Sequence, residues 1–106
     1  MRVVKQFVFA AALLPLLAVP AFAGCNEDFT AQTKAIPPLQ SARLSSLAAP
    51  QAEKCAAHKK MIDAYVKLGD IYKTCQSDLR LRDSDLQDHQ QMVTEEQKSY
   101  AEECGA

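Results

Sequence analysis

Four cysteines at positions 25, 55, 75 and 104 constrain the fold of this 106-residue chain more than any other feature. They follow an N-terminal segment typical of exported proteins, and exported proteins reach oxidising compartments. A chain this short buries little apolar surface, so its small core is often supplemented by disulfides. Because the cysteine count is even, all four can pair. We therefore expect two disulfides within one small domain.

Residues 1–23 predict a cleaved signal peptide. Two basic residues precede an uncharged, largely apolar run over residues 7–19, and Ala21 and Ala23 supply the small side chains that signal peptidase requires. The run is shorter than the roughly 20 apolar residues of a membrane-spanning helix. We expect cleavage between Ala23 and Gly24, release into the periplasm or outside the cell, and no transmembrane helix in the mature chain.

A lipoprotein anchored through Cys25 is the alternative product of the same segment. Ala23 and Gly24 fit the residues before a lipidated cysteine, but Phe22 stands where such motifs usually have an aliphatic residue. Lipid on Cys25 would also leave three cysteines, one of them without a partner. The sequence favours the released product and leaves the anchored form open.

Residues 24–106 are predicted to form one all-α domain, a small disulfide-stapled helical hairpin or three-helix arrangement, because apolar residues recur with helical period and no segment alternates like a strand. Its expected elements are a broken helical segment over 24–49, a long central helix over 50–80 and an acidic helix over 83–104. Pro37 and Pro38 should break the first element. Pro50 suits the start of the second. Gly69, inside it, predicts a kink or a close approach by a neighbour.

Helix geometry restricts how the cysteines pair. Cys55 and Cys75 lie on one predicted helix, about 30 Å apart, whereas a disulfide needs Cα atoms within about 7 Å. When a disulfide joins two neighbouring antiparallel helices, the residue halfway between its two cysteines in the sequence lies in the turn that connects the helices. Pairing Cys25 with Cys75 and Cys55 with Cys104 places the midpoints at both predicted turns. The rival pairing, 25–55 with 75–104, places one midpoint inside the last helix. We predict the first scheme and keep the second as the alternative.

Charge is distributed unevenly along the chain. Twelve Lys and Arg, two of them before Ala23, face 13 Asp and Glu, so the mature chain carries a net charge of −3. Seven of the acidic residues lie within 83–106, where Asp83 or Ser84 is expected to cap the last helix. Nucleic acid is a poor partner for a net-negative chain, and the simplest interpretation is a basic element packed beside an acidic one.

The sequence lacks the residue combinations typical of catalytic sites. Its only histidines are His58 and His89, and it contains neither a G-x-S-x-G frame nor a glycine-rich phosphate loop. Pairs of acidic residues on the last helix fall on its polar face, where exposure to solvent accounts for them without a catalytic role. We therefore expect no enzymatic activity.

Each histidine is followed three residues later by a methionine, in His58-Lys59-Lys60-Met61 and His89-Gln90-Gln91-Met92. On a helix these side chains share a face, and imidazole with thioether suits Cu(I) or Ag(I). The two units resemble the H-x-x-M motifs of periplasmic silver- and copper-binding proteins, over eight residues only. The resemblance implies His58, Met61, His89 and Met92 as metal ligands. Packing is the alternative, because Met61 belongs to the apolar stripe and His58 lies at its margin.

Three tyrosines complete the candidate functional residues. Tyr65 and Tyr72 lie on the stripe of the central helix, and Tyr100 lies on that of the last helix. Tyrosine is suited to protein contacts because an apolar ring carries a polar hydroxyl, although stripe residues also build cores. We expect an interaction module whose partner is another envelope or secreted protein, with soft-metal binding as the alternative function.

Overall fold

The computed structural model describes residues 24–105, and the predicted signal peptide lies outside them. Its three helices are α1 (Cys25–Ser45), α2 (Gln51–Thr74) and α3 (Asp83–Cys104). The described residues contain no strand, so the all-α expectation is confirmed. None of these helices is both long and apolar enough to cross a membrane.

Two disulfides attach the outer helices to opposite ends of α2. Cys25 is bonded to Cys75, with the Cα atoms 5.6 Å apart. Cys55 is bonded to Cys104, with the Cα atoms 5.9 Å apart. Both bonds join the start of one helix to the end of another, so neighbouring helices run antiparallel. The predicted pairing is confirmed and the rival pairing is excluded.

The central helix α2 separates the two others. α1 and α3 each pack along α2, whereas they make little direct contact with one another. On the α1 side the core is built from Ile36, Ala64 and Leu68, with Phe29 and Leu39 packed against it. A buried hydrogen bond of 2.9 Å from the Gln32 amide to the carbonyl of Ala64 also ties α1 to α2.

The central helix is shorter than predicted. It begins after Pro50, as expected, but ends at Thr74 and not at residue 80. Its end coincides with Cys75, which leaves helical geometry and is held by the bond to Cys25. Turns follow, and Arg80 adopts a left-handed φ of 55°. The disulfide therefore marks the end of the regular helix.

The expected break at Pro37 and Pro38 is wrong, because α1 runs through both prolines. Each proline removes one backbone N–H, which leaves the carbonyls of Thr33 and Lys34 without their helical donors. Both rings lie on the exposed side of α1, where water can hydrogen-bond to such carbonyls. The inner side carries buried Ile36, so packing against α2 outweighs the local preference of the diproline.

The last helix spans the expected residues 83–104, but Arg82 occupies the capping position instead of Asp83 or Ser84. The carboxylate of Asp85 accepts the backbone N–H of Arg82 at 2.9 Å and its guanidinium at 3.1 Å. Hydrogen bonds from the side chain and then the backbone of Arg82 lower the pKa of Asp85. The helix ends at Cys104, and the next residue, Gly105, adopts the left-handed conformation.

Candidate functional site

His58 is buried in the α2–α3 interface, in contact with Glu96 and Tyr100 of α3. Its side chain is 1% exposed. Its Nε2 donates a hydrogen bond of 2.9 Å to Oε1 of Glu96 on α3, and its ring meets that of Tyr100 edge-on with centroids 5.7 Å apart. α3 therefore supplies the hydrogen-bond partner of His58 Nε2 and an aromatic ring that packs on the imidazole.

Glu103 joins all three helices through its carboxylate. Its Oε1 lies 3.2 Å from Nη2 of Arg43 on α1 and 3.6 Å from Nδ1 of His58. Its Oε2 lies 3.4 Å from Nζ of Lys54 at the start of α2. Gln51 also donates to the backbone carbonyl of Glu103 at 2.6 Å. We call the group Arg43, Lys54, His58, Glu96 and Glu103 the polar hub.

The polar hub lowers the pKa of Glu103. Desolvation acts in the opposite direction and is the largest single influence on this carboxyl group. The hydrogen bond and charge of Lys54, together with the charges of Arg43 and of His58 when it is protonated, outweigh the desolvation. Glu103 is therefore held as a carboxylate where the three helices meet.

His89 fills the interface between α2 and α3 nearer the other end. Its Nε2 donates to the carbonyl of Tyr65 at 2.8 Å, and its ring meets Tyr72 edge-on with centroids 4.9 Å apart. A Cβ at position 69 would lie 3.1 Å from Cδ2 of His89. The close-approach interpretation of Gly69 is therefore confirmed.

The structure places the two His-x-x-Met pairs on different helices and does not join them into one site. Met61 is 7% exposed and belongs to the core, as its position on the stripe indicated, whereas Met92 is half-buried. Within residues 24–105, no group of three or more His, Cys, Asp or Glu side chains is arranged to hold a metal ion. The soft-metal hypothesis stays a prediction.

The three candidate tyrosines are half-buried and make contacts between helices. The hydroxyl of Tyr65 accepts a 2.7 Å hydrogen bond from Gln40. Tyr72 packs against Phe29 as well as His89, and burial followed by the charge of Asp85 raises the pKa of its hydroxyl. Their role in binding a partner stays a prediction.

A groove between α1 and α2, with a volume of about 420 Å³, was missed by sequence reasoning. We call it the α1–α2 groove. It is lined by Asp28, Ala31, Gln32, Lys67, Asp70, Ile71, Thr74 and Cys75. Ala31 and Ile71 contribute apolar surface, and charged side chains of both signs surround it. No local signal identifies these residues in the sequence, because the groove exists only once α1 is docked on α2.

A smaller cleft of about 210 Å³ lies between α2 and α3. Val66 and Leu86 contribute apolar surface to it, and Asp70 lines both this cleft and the α1–α2 groove. The two depressions therefore flank α2, with the larger one beside the Cys25–Cys75 bond.

Comparison with models of known protein families, with curated proteins and with solved structures finds no match to this chain.

Proposed function

We propose that this chain is an exported, non-enzymatic binding module that presents the α1–α2 groove to another envelope or secreted protein. The groove itself carries the proposal, because it combines apolar surface from Ala31 and Ile71 with charged groups from Asp28, Lys67 and Asp70. Protein-binding sites commonly place an apolar centre inside a polar rim. Charges of both signs on the rim favour a partner segment that is apolar with mixed charge at its edges.

The Cys25–Cys75 bond supports this role because it anchors α1 to α2 beside the groove, and Cys75 itself lines the groove. A surface held in its binding conformation loses less entropy when it binds than a flexible one. The disulfide thus contributes to binding through pre-organisation as well as to stability.

Export is supported by the signal-like segment over residues 1–23 and by the two disulfides, which persist in oxidising compartments. The sulfur of Cys25 is bonded to that of Cys75, so the same sulfur cannot also carry a thioether-linked lipid. This favours cleavage between Ala23 and Gly24 and a released mature chain in the periplasm or outside the cell.

The contacts of the two histidines support a non-enzymatic role for this chain. Nε2 of His58 is directed at Glu96 and Nε2 of His89 at the carbonyl of Tyr65, and both contacts hold α3 against α2. Neither pairs the imidazole with a hydroxyl or thiol nucleophile, the arrangement that acyl-transfer catalysis uses. We assign both histidines to structure.

The groove is tested by capture of partners from an envelope extract with the mature chain as bait. Ala31→Glu places a charged side chain in the groove, and Ala42→Glu is its matched control, an exposed alanine of α1 that does not line the groove. We expect the wild-type chain and the Ala42→Glu variant to capture the same protein and Ala31→Glu to lose it. Circular dichroism checks that all three baits are folded.

Two results would contradict the proposal. If the wild-type chain captures nothing beyond a bait-free matrix, the chain is not a binding module for an envelope protein. If the captured protein is retained equally by both folded variants, a binding module remains but the α1–α2 groove is not its site.

A further inference from the structure

Gln32 of α1 lines the α1–α2 groove although its side chain is polar and only 8% exposed. Its amide has a fixed orientation, because the carbonyl of Ala64 can only accept and must receive the Nε2–H, at 2.9 Å. The other amide atom, Oε1, accepts no hydrogen bond from any residue within 24–105. The fully enclosed side-chain atoms without a partner in this range are Nη1 of Arg43 and Nδ1 of His58. Oε1 of Gln32 is therefore not enclosed, and it offers an acceptor to whatever occupies the groove.

Two carboxylates that line the groove also lack a basic partner. Asp28 lies one turn before Gln32 on α1, and Asp70 lies on α2. In the described part of the chain, ion pairs are made by other acidic residues, namely Asp63, Asp85, Glu96 and Glu103. Of the described residues that line the groove, only Lys67 is basic. The rim therefore carries one more negative charge than positive charge.

Ala31 and Ile71 give the same groove an aliphatic surface. A well-matched occupant thus has to offer both aliphatic carbon and a cationic hydrogen-bond donor. Lysine and arginine combine the two, since a flexible hydrocarbon stem carries a charged head that has several N–H groups and no acceptor.

We propose that the α1–α2 groove binds a lysine or arginine side chain of the partner, an inference that rests on the binding function proposed above. The hydrocarbon stem of that side chain packs on Ala31 and Ile71. Its charged head interacts with the carboxylates of Asp28 and Asp70 and donates a hydrogen bond to Oε1 of Gln32.

Other occupants fit the groove less well. An acidic side chain would be repelled by Asp28 and Asp70 and has no proton to donate to Gln32. A purely apolar side chain would cover these polar groups without replacing their water, which is costly. An inorganic cation lacks ligands, because residues 24–105 hold no group of three or more His, Cys, Asp or Glu side chains that could bind it. Since Lys67 would repel a second cation, we expect the partner segment to present one basic side chain and not a run of them.

Titration of the folded mature chain with short peptides, followed by ¹H–¹⁵N nuclear magnetic resonance, tests the proposal. The probes are blocked tripeptides with alanine at both ends and lysine, arginine, norleucine or glutamate in the middle. Norleucine keeps the stem of lysine but lacks its charge. We expect at least one basic peptide to shift the side-chain amide of Gln32 and the backbone amides of Ala31 and Ile71, with saturation in the millimolar range. The norleucine peptide should bind about tenfold more weakly or not at all, and the glutamate peptide should not bind.

Removal of the rim charges provides the matched variants. Asp28→Asn/Asp70→Asn keeps the shape of both side chains and should weaken binding of the basic peptide about tenfold. The control Asp63→Asn/Asp88→Asn removes two exposed carboxylates that do not line the groove, and it should leave the affinity nearly unchanged. The backbone amide spectrum shows whether each variant is folded.

Three results with the wild-type chain would overturn the proposal: no saturable shift with either basic peptide, shifts confined to residues outside the groove, or equal binding of the norleucine peptide. Equal weakening by both double variants would also overturn it, because overall charge and not the groove would then attract the peptide. If Asp28→Asn/Asp70→Asn does not fold, the four peptides on the wild-type chain still decide the question.

Failure of this inference can be told apart from failure of the proposed function. If an envelope protein is captured and lost in Ala31→Glu, but neither basic peptide binds, the groove remains a binding site and only its basic occupant is rejected. If a basic peptide binds in the groove but no envelope protein is captured, the chemistry of the groove stands and the envelope partner is rejected.

Discussion

The side chain of Glu103 on α3 contacts residues of both α1 and α2. It is half-buried, lies within ion-pair distance of three cationic or titratable groups, and its backbone carbonyl accepts from Gln51. Exposed single ion pairs contribute little to stability, but a network around one carboxylate contributes more. The lowered pKa of Glu103 means that the network stabilises the folded state only while this group is ionised.

Replacing Glu103 by Gln should therefore destabilise the protein in a pH-dependent way. A carboxyl group whose pKa is lower in the folded chain contributes stability above its unfolded pKa, about 4.5, and loses it as the pH falls through the folded value. We expect Glu103→Gln to unfold at a lower urea concentration than wild type at pH about 7, and the difference to shrink as the pH falls below the unfolded pKa and through the lower pKa of the folded state.

The neighbouring exposed residue provides the control for that measurement. Glu102→Gln removes the same charge one position away. It should shift the urea midpoint by much less at either pH. Equal shifts for both variants at neutral pH would mean that net charge, and not the polar hub, causes the effect.

A second substitution at the residue scale, Gly69→Ala, tests the close approach of His89 to α2. Alanine is favoured over glycine in a helix interior by about 1 kcal/mol, but a Cβ here would lie 3.1 Å from His89. The histidine cannot easily retreat, because it is hydrogen-bonded to Tyr65 and packed on Tyr72. We expect Gly69→Ala to destabilise the wild-type chain and to stabilise the His89→Ala variant by up to about 1 kcal/mol, measured by urea unfolding. Stabilisation of both backgrounds would show that the contact is not restrictive.

At the scale of the element, α1 differs from the other helices because it contains two prolines in its interior. Packing of Ile36 and the bond between Gln32 and Ala64 hold it against α2 on one side, while Pro37 and Pro38 occupy the other. The helix is thus maintained by tertiary contacts that compensate for two missing backbone hydrogen bonds.

Restoring those bonds should stabilise the protein. Proline is about 3 kcal/mol less favourable than alanine inside a helix, although part of this gain is offset because proline also restricts the unfolded chain. We expect the double variant Pro37→Ala/Pro38→Ala to raise the melting temperature and to slow amide exchange in the middle of α1. Pro50→Ala, at a position before α2 where no helical bond is missing, should leave the melting temperature nearly unchanged or lower it. A lower melting temperature of the double variant would indicate that the prolines stabilise α1.

Some features of these elements could be predicted from the sequence and others could not. Periodicity located the helices, and the rigidity of a helix excluded a Cys55–Cys75 bond. Two pairings then remained, and the position of the turns favoured the one that the structure shows. The continuation of α1 through Pro37 and Pro38 could not be predicted, because local preference there opposes tertiary packing. The polar hub and the α1–α2 groove combine residues from two or three helices, and their members have no common sequence pattern.

At the scale of the whole molecule, two disulfides compensate for a small core. Each one closes a loop of about 50 residues, with sequence separations of 50 and 49, and each is worth roughly 2–4 kcal/mol in proteins of this kind. They connect opposite ends of α2 to the two outer helices, so α1 and α3 are fixed although they scarcely touch one another. The α1–α2 groove and the polar hub are both consequences of this arrangement, because each needs neighbouring helices held in register.

The Cys25–Cys75 and Cys55–Cys104 bonds hold the three helices in this arrangement, and we propose that they do so in an exported chain from which the signal peptide has been removed. Mass spectrometry of the protein isolated from its producing cells, alkylated and digested without reduction, tests it most directly. We predict an N-terminus at Gly24, peptides linking Cys25 to Cys75 and Cys55 to Cys104, and no lipid. Peptides linking Cys25 to Cys55, alkylated free cysteines, or a lipid on Cys25 would contradict the claim.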